Sequence, residues 1–340
     1  MTSAAESAPD AEPRTAPPSV PVSIAVIVVC WNSADVLDGL LDSLPAGLNG
    51  LDWRLTIVDN ASADETTAIA ERWFAGRAGR VNGRVLQTGR NAGYAAAINA
   101  ASAHTPADTP PADATLILNP DIRLEPDCVR RLAAALLDTR APAGIVVPRI
   151  RDAHGALYRS LRREPTLARA LGEALLGRHA GRFRRLGETV ADDAAYQGPT
   201  VSDWATGAIM LIGRECLEAC GAWDESFFLY SEETEFALRA RDRGHPLRLA
   251  PEAEATHLGG ESRTSGDLWA LLTVNRVRLY RRRHGSVTTA LFWAVVLLRE
   301  LTRAALGRAP SRSAVGALLR LRAVPRAHAG PAAAPADQLV

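Results

Sequence analysis

The run Val22–Cys30, VSIAVIVVC, constrains this chain more than any other stretch. Nine consecutive apolar or small residues, mostly β-branched, predict a strand buried on both faces, as in the middle of a parallel sheet. A polar turn, Trp31-Asn32-Ser33, follows, and Ala34–Leu44 then carries apolar residues at helical spacing. The same order recurs at once: a strand over Leu55–Val58, the turn from Asp59 and Asn60 through ASAD, and a helix over Thr66–Phe74. Strand, polar turn and helix in alternation specify an α/β doubly wound sheet.

The alternation continues. A strand over Val85–Gln87 runs into GRNAGYAAAINAAS, where Gly89 and Gly93 permit close backbone approach and the Ala-rich remainder reads as a helix. After an Ala/Pro linker, the strand Thr115–Leu118 ends in Asn119-Pro120-Asp121. Ligands of open α/β sheets lie beyond the carboxyl ends of the strands, and Pro120 restricts the turn, so Asp121 is aimed toward such a site. Glu125–Leu137 reads as a helix and Gly144–Arg149 as a strand. Residues 151–200 carry Arg-rich helical patterns (Leu157–Arg163, Leu167–Leu176, Phe183–Leu186) and a loop from Asp192 to Thr200, expected as a mobile excursion near an acceptor site. Trp204–Ile212 reads as one strand, Arg214–Cys220 as a helix, and Ser231–Gly244 as a helix with Ser231 as N-cap. Leu247–Leu249 reads as a short strand and residues 255–262 as a polar loop.

Composition removes several function classes. A net charge of +1 disfavours a simple electrostatic nucleic-acid binder. All 39 basic residues are Arg, so no Schiff-base or P-loop lysine is available. Cys30, Cys128, Cys216 and Cys220 form no C-x-x-C pair and read as buried thiols of a reducing, cytoplasmic compartment; the N-terminus lacks the pattern of a secretory signal. Residues 1–21 are expected as a disordered tail, 22–285 as the folded domain, and 286–340 as an amphipathic helical extension with a disordered tail. The apolar run Val287–Leu298 falls short of the roughly 20 residues that span a bilayer. With Arg303, Arg308 and Arg312 beyond it, that run suits either a helix at an anionic membrane surface on the inner face of the plasma membrane or one packed on the domain.

Acidic residues follow three strands: Asp59, Asp121 and the pair Glu232-Glu233, with His257 later. Taken in order, VDNASAD, GRNAGYAAAIN, LNPD, WATGA, FFLYSEETEFALRARDRG and HLGGES resemble the family 2 glycosyltransferases of GT-A fold, especially the rhamnosyltransferase-like branch, over roughly residues 22–285. The resemblance implies a single GT-A catalytic domain and an inverting, metal-dependent transfer of a sugar, L-rhamnose from dTDP-rhamnose, to a cell-surface glycan or a polyprenyl-diphosphate-linked acceptor. It implies that Asp59 accepts from the nucleotide base and that Asn91, Gly93 and Asn119 lie near the nucleotide sugar. Asp121 and His257 would hold Mg²⁺ or Mn²⁺, with Asn119 standing where the family carries a first Asp. Trp204, Thr206 and Gly207 would shape the acceptor or sugar pocket. Glu233 would be the general base, in place of the family's Asp and one methylene longer, with Glu232 in reserve. A homodimer is compatible with this reading. Its alternatives are another nucleotide sugar (galactofuranose, mannose or N-acetylglucosamine), a sugar nucleotidyltransferase, and a weakly catalytic glycan-binding scaffold. The nucleotidyltransferase normally needs a Gly-rich, lysine-containing first loop, where this chain has CWNSAD.

Overall fold

The computed structural model describes residues 22–104, 109–259 and 265–323. The expected N-terminal tail, the end of the C-terminal tail and the last part of the expected 255–262 loop lie outside the described residues. In chain order the elements are β1 (Ser23–Cys30), α1 (Ala34–Gly47), β2 (Asp52–Asp59), α2 (Thr66–Ala75), β3 (Asn82–Gln87), α3 (Tyr94–Ala103), β4 (Ala114–Leu118), β5 (Ile122–Leu124), α4 (Cys128–Leu136), β6 (Ile145–Arg151), β7 (Leu157–Tyr158) and β8 (Leu161–Arg162). There follow α5 (Leu167–Leu176), β9 (Thr200–Ser202), β10 (Trp204–Ala205), β11 (Ile209–Gly213), α6 (Arg214–Cys220), α7 (Glu232–Asp242), β12 (Leu247–His257), α8 (Gly266–Arg283), α9 (Ser286–Ala305) and α10 (Ala309–Ala323).

The main sheet runs β3-β2-β1-β4-β11-β6-β12-β5, with β7 added on β6 and β9 on β12. Strands β3, β2, β1 and β4 are mutually parallel, β11 is antiparallel to both neighbours, and β6 and β12 are again parallel to each other. The continuous apolar run of β1 has a physical reason. Ile24, Val26, Val28 and Cys30 enter a core shared with α1, α2 and α4, whereas Ile27 and Val29 enter a second core shared with α3, α6 and α7. A third, smaller core joins α5, α8, α9 and α10 through Ala170, Val277, Phe292, Val296 and Leu318. The four cysteines are free and buried.

Several local expectations are corrected. Trp204–Ile212 is two strands, β10 in a small sheet with β8 and β11 in the main sheet, because the chain turns at Thr206–Ala208. The alternating L-R-L-A-P-E-A-E-A-T-H is a single strand, β12, reaching His257; Pro251 sits at an irregularity between Ala250 and Glu254 rather than ending it. Leu157–Arg163 forms two short strands instead of helix, and Phe183–Leu186 is a turn after a 3₁₀ segment at Gly177–Arg182. Within 151–200, Glu173 and Glu188 both bind Arg276 of α8, which ties this segment to the C-terminal helices.

Candidate active site

Two polar turns meet at the carboxyl end of β1 and β2. Asn32 takes a left-handed backbone, its Oδ1 accepts from Ala63 N at 2.8 Å, and its own N–H donates to Ser62 Oγ at 2.9 Å. Asp59, at the end of β2, is buried, and its carboxylate accepts from the backbone N–H of Ser62 at 3.2 and 3.3 Å. It does not line the main cleft, whereas the adjacent Asn60 does. Asn60 Nδ2 donates to the Gly93 carbonyl at 3.1 Å and so locks this turn to the next one.

Gly93 has φ 92°, and a Cβ there would lie 2.3 Å from the Phe228 carbonyl oxygen. The same carbonyl accepts from Tyr94 N at 2.9 Å. Close approach at Gly93 therefore seats the loop ahead of α7 against the start of α3. Replacing Gly93 by Ala is expected to cost roughly 2–4 kcal/mol, since left-handed strain and a backbone collision add. A melting curve unchanged from wild type would contradict it.

Asn119 and Asp121 follow β4. Asn119 N donates to Ala208 O at 2.9 Å, which ties this turn to the one between β10 and β11. Strand β5 returns antiparallel to β12 with Ile122 opposite His257, so Asp121 and His257 are brought side by side, Oδ2 to Nε2 at 3.0 Å. Tyr158 packs edge-on against the His257 ring at 5.5 Å. His257 Nδ1 is buried with no hydrogen-bond partner among the described residues.

Trp204 Nε1 donates to Arg163 O at 3.0 Å, and Thr206 N donates to Ser160 O at 3.1 Å. A Cβ on Gly207 would stand 3.2 Å from Glu233 Cβ, so the small residue lets α7 approach. Helix α7 begins at Glu232 after two successive left-handed residues, Tyr230 (φ 67°) and Ser231 (φ 77°). Ser231 is the N-cap residue, but its hydroxyl makes no capping bond. What holds this bend is Asn275 of α8, fully buried, whose Nδ2 lies 2.9 Å from Leu229 O and 3.2 Å from Tyr230 O.

Glu232 and Glu233 each have a buried Oε2 without a hydrogen-bond partner among the described residues. Burial raises the pKa of both, and the neighbouring charge of Glu233 raises Glu232 further, well above the ordinary value. The start of a helix favours carboxylate charge by about 0.3–1 kcal/mol, or up to ~2 kcal/mol when partly buried, whereas desolvation costs several. Desolvation wins here, and the pair is held ready to carry a proton. Tyr94 shows that the acidic groups converge: its hydroxyl pKa is raised first by burial and then by Glu232, Glu233 and Asp121. That hydroxyl lies 3.0 Å from Asn119 Oδ1 and 3.1 Å from Gly207 O.

One cleft of about 1530 Å³ is lined by Asn91, Gly93, Asn119, Asp121, Trp204, Thr206, Gly207, Glu232, Glu233 and His257. Of the sequence-derived candidates only Asp59 is not part of its wall. Sequence reasoning missed Tyr94, Asn60 and Asn275. A lone Tyr beside a glycine at the head of an Ala-rich helix was the one visible sign of the first.

Among the described residues no group of three or more His, Cys, Asp and Glu side chains is placed to hold a metal. The Asp121–His257 pair nonetheless fits a divalent cation. Its oxygen and nitrogen donors stand side by side, 3.0 Å apart, where they contact each other directly, and both are of a kind that a divalent cation takes alongside water. Imidazole favours Mn²⁺ over Mg²⁺ in such a pair.

The chain is 28% identical over 243 residues, 69% of its length and 75% of the relative's, to the N-acetylglucosaminyl-diphospho-decaprenol L-rhamnosyltransferase of Mycobacterium tuberculosis. It is 25% identical over 235 residues to the rhamnosyltransferase WbbL of Escherichia coli K12, covering 69% of this chain and 83% of that one. Its fold is similar to that of the mannosyltransferase PcManGT from Pyrobaculum calidifontis, solved with GDP-Man and Mn²⁺, with a TM-score of 0.53, 16% identity, and coverage of 95% and 80% of the two chains. Residues 25–196, half of the chain, match the family described as Glycosyl transferase family 2. The protein thus belongs to glycosyl transferase family 2 and is a glycosyltransferase of GT-A fold.

Proposed function

We propose that this enzyme transfers L-rhamnose from dTDP-rhamnose, with inversion, to a hydroxyl of a glycan precursor carried on a polyprenyl diphosphate. The observation that carries this reading is the convergence of Asp121, Glu232 and Glu233 around Tyr94 in one cleft. The named activities of the relatives from Mycobacterium tuberculosis and Escherichia coli support the choice of sugar.

Glu233 accepts the proton of the acceptor hydroxyl through its buried Oε2, and Glu232 is the reserve. The acceptor oxygen then bonds to the anomeric carbon from the face opposite the nucleoside diphosphate, whose bond to that carbon breaks and inverts the centre. Asp121 and His257 would hold a divalent cation, which would supply positive charge for the departing diphosphate. Asn91 and Gly93 border the nucleotide sugar, and Trp204, Thr206 and Gly207 wall the sugar pocket, where an aromatic face suits sugar C–H surfaces. Asp59, buried behind the cleft wall, holds through Ser62 the turn that presents Asn60 to the nucleotide end of the cleft.

No helix among the described residues is long and apolar enough to cross a membrane. The enzyme works from the cytoplasmic side, at the inner face of the plasma membrane.

The test is direct. With Mn²⁺ present, dTDP-rhamnose is expected to raise the melting temperature, and mass spectrometry should show a deoxyhexose added to an isoprenoid-diphosphate N-acetylglucosamine acceptor. A melting temperature that responds only to another nucleotide sugar replaces the donor; one that responds to none removes the reading.

A further inference from the structure

The cleft continues well past the acidic cluster. At about 1530 Å³ it exceeds the roughly 300–1,000 Å³ that hold one small ligand. Its far walls come from a different part of the chain: Trp269, Leu272 and Arg276 on one face of α8, Arg299, Arg303 and Leu306 along and just after α9, and Arg178 beyond α5. We propose that this end is an acceptor site for an amphiphilic diphosphate, with Arg178, Arg299 and Arg303 taking the anion and the adjoining apolar face of α9 taking the aliphatic chain. The inference rests on the glycosyltransfer reading above and deepens it.

Charge is the first support. Arg276 is clamped between Glu173 and Glu188 and is neutralised there. Arg299 and Arg303 share one carboxylate, that of the fully buried Glu300, at 3.0 and 3.9 Å. Arg178 is exposed and forms no ion pair with a described residue. Across this wall four guanidinium groups, of Arg178, Arg276, Arg299 and Arg303, meet three carboxylates, of Glu173, Glu188 and Glu300, so one positive charge is in surplus, and an anion would restore the balance. No acidic residue occurs between Glu173 and Glu188, a stretch that also carries Arg182, Arg184 and Arg185.

The second support is apolar. Val287, Leu291, Ala294, Leu298, Leu301 and Ala305 recur at alternating steps of four and three, so they share one face of α9. All six are exposed, Leu298 at 62% and Leu301 at 46%. This face borders the one bearing Arg299, Thr302 and Arg303, because Thr302 lies one turn from Leu298 and the two stripes meet along that edge. Leu306, 77% exposed, belongs to the cleft wall itself. A ligand with a charged head beside a hydrocarbon tail matches this adjacency. A free nucleotide or a polar glycan would leave the stripe in water.

The experiment is calorimetric titration of the full chain, without divalent metal, with farnesyl diphosphate below its critical micelle concentration, inorganic diphosphate and farnesol. Farnesyl diphosphate is expected to bind at least about tenfold more tightly than either fragment, and R178Q and L301N to weaken it by about 5–10-fold each, corresponding to one charge-assisted contact or one buried side chain. Both substitutions are at exposed positions and keep the fold. Equal affinity for inorganic diphosphate, equal affinity for farnesol, or unchanged affinity in both variants overturns the proposal. A wild-type dimer that L301N splits, with farnesyl diphosphate affinity unaltered, assigns the stripe to a second copy and also overturns it. Nucleotide sugar is titrated into the same preparations with Mn²⁺: binding of the donor without farnesyl diphosphate binding removes this inference alone, whereas absence of donor binding removes the reading beneath it.

Discussion

Glu233→Gln is expected to reduce sugar transfer by about 10²–10⁴-fold while nucleotide-sugar binding stays intact, because the substitution keeps the shape and removes only proton-accepting capacity. The pH profile should carry a second mark. Burial raises the Glu233 pKa, and the base works when ionised, so the wild-type rate rises with pH through a value above the ordinary carboxylate range; the variant loses that limb. Stability follows with a fixed sign. The folded pKa lies above the unfolded one, so this group's favourable contribution is complete below the unfolded pKa and is lost as pH climbs through the folded value. At neutral pH, then, the variant should melt at or above the wild-type temperature even as it loses activity. Product formation at several pH values together with a melting curve checks both halves. Undiminished transfer in Glu233→Gln, with loss in Glu232→Gln, would shift the role to Glu232.

Asp121→Asn is the other large effect. The amide keeps a polar contact with His257 but cannot offer a negative ligand, and charge stabilisation at a departing diphosphate is worth several kcal/mol. Turnover is expected to fall by about 10²-fold or more, with the Mn²⁺ concentration needed for half-maximal rate shifted upward. Rate measured against Mn²⁺ concentration decides it: a variant with the wild-type curve would show that Asp121 takes no part.

The legible parts of the fold were those set by short-range patterning. The β1 run states its burial on two faces outright, and Arg214–Cys220 and Leu167–Leu176 are helices with the expected bounds. Patterning failed where tertiary contacts decide. The turn at Thr206–Ala208 is apolar enough to pass for strand, and the bend is held by bonds from distant residues: Tyr94 Oη to Gly207 O, Asn119 N to Ala208 O, and Thr206 N to Ser160 O. Strand β12 outlasts Pro251 because Arg149 and Arg151 grip Glu254 on the far side of the irregularity. For the site, acidic residues at strand ends were visible as candidates, whereas their meeting around Tyr94 depends on residues more than a hundred positions apart. Asp59 illustrates the reverse: a carboxylate at a strand end whose nearest partner is the backbone of its own turn.

The bend at Tyr230 and Ser231 has one further implication. Two adjacent non-glycine residues in left-handed geometry do not persist on local preference, and the side chain that braces them comes from Asn275, more than forty residues later. The helical end of the polypeptide is thus a buttress for the acidic pair rather than an appendage, and a shortened protein stopping after β12 would keep the central sheet and lose the alignment of its two glutamates.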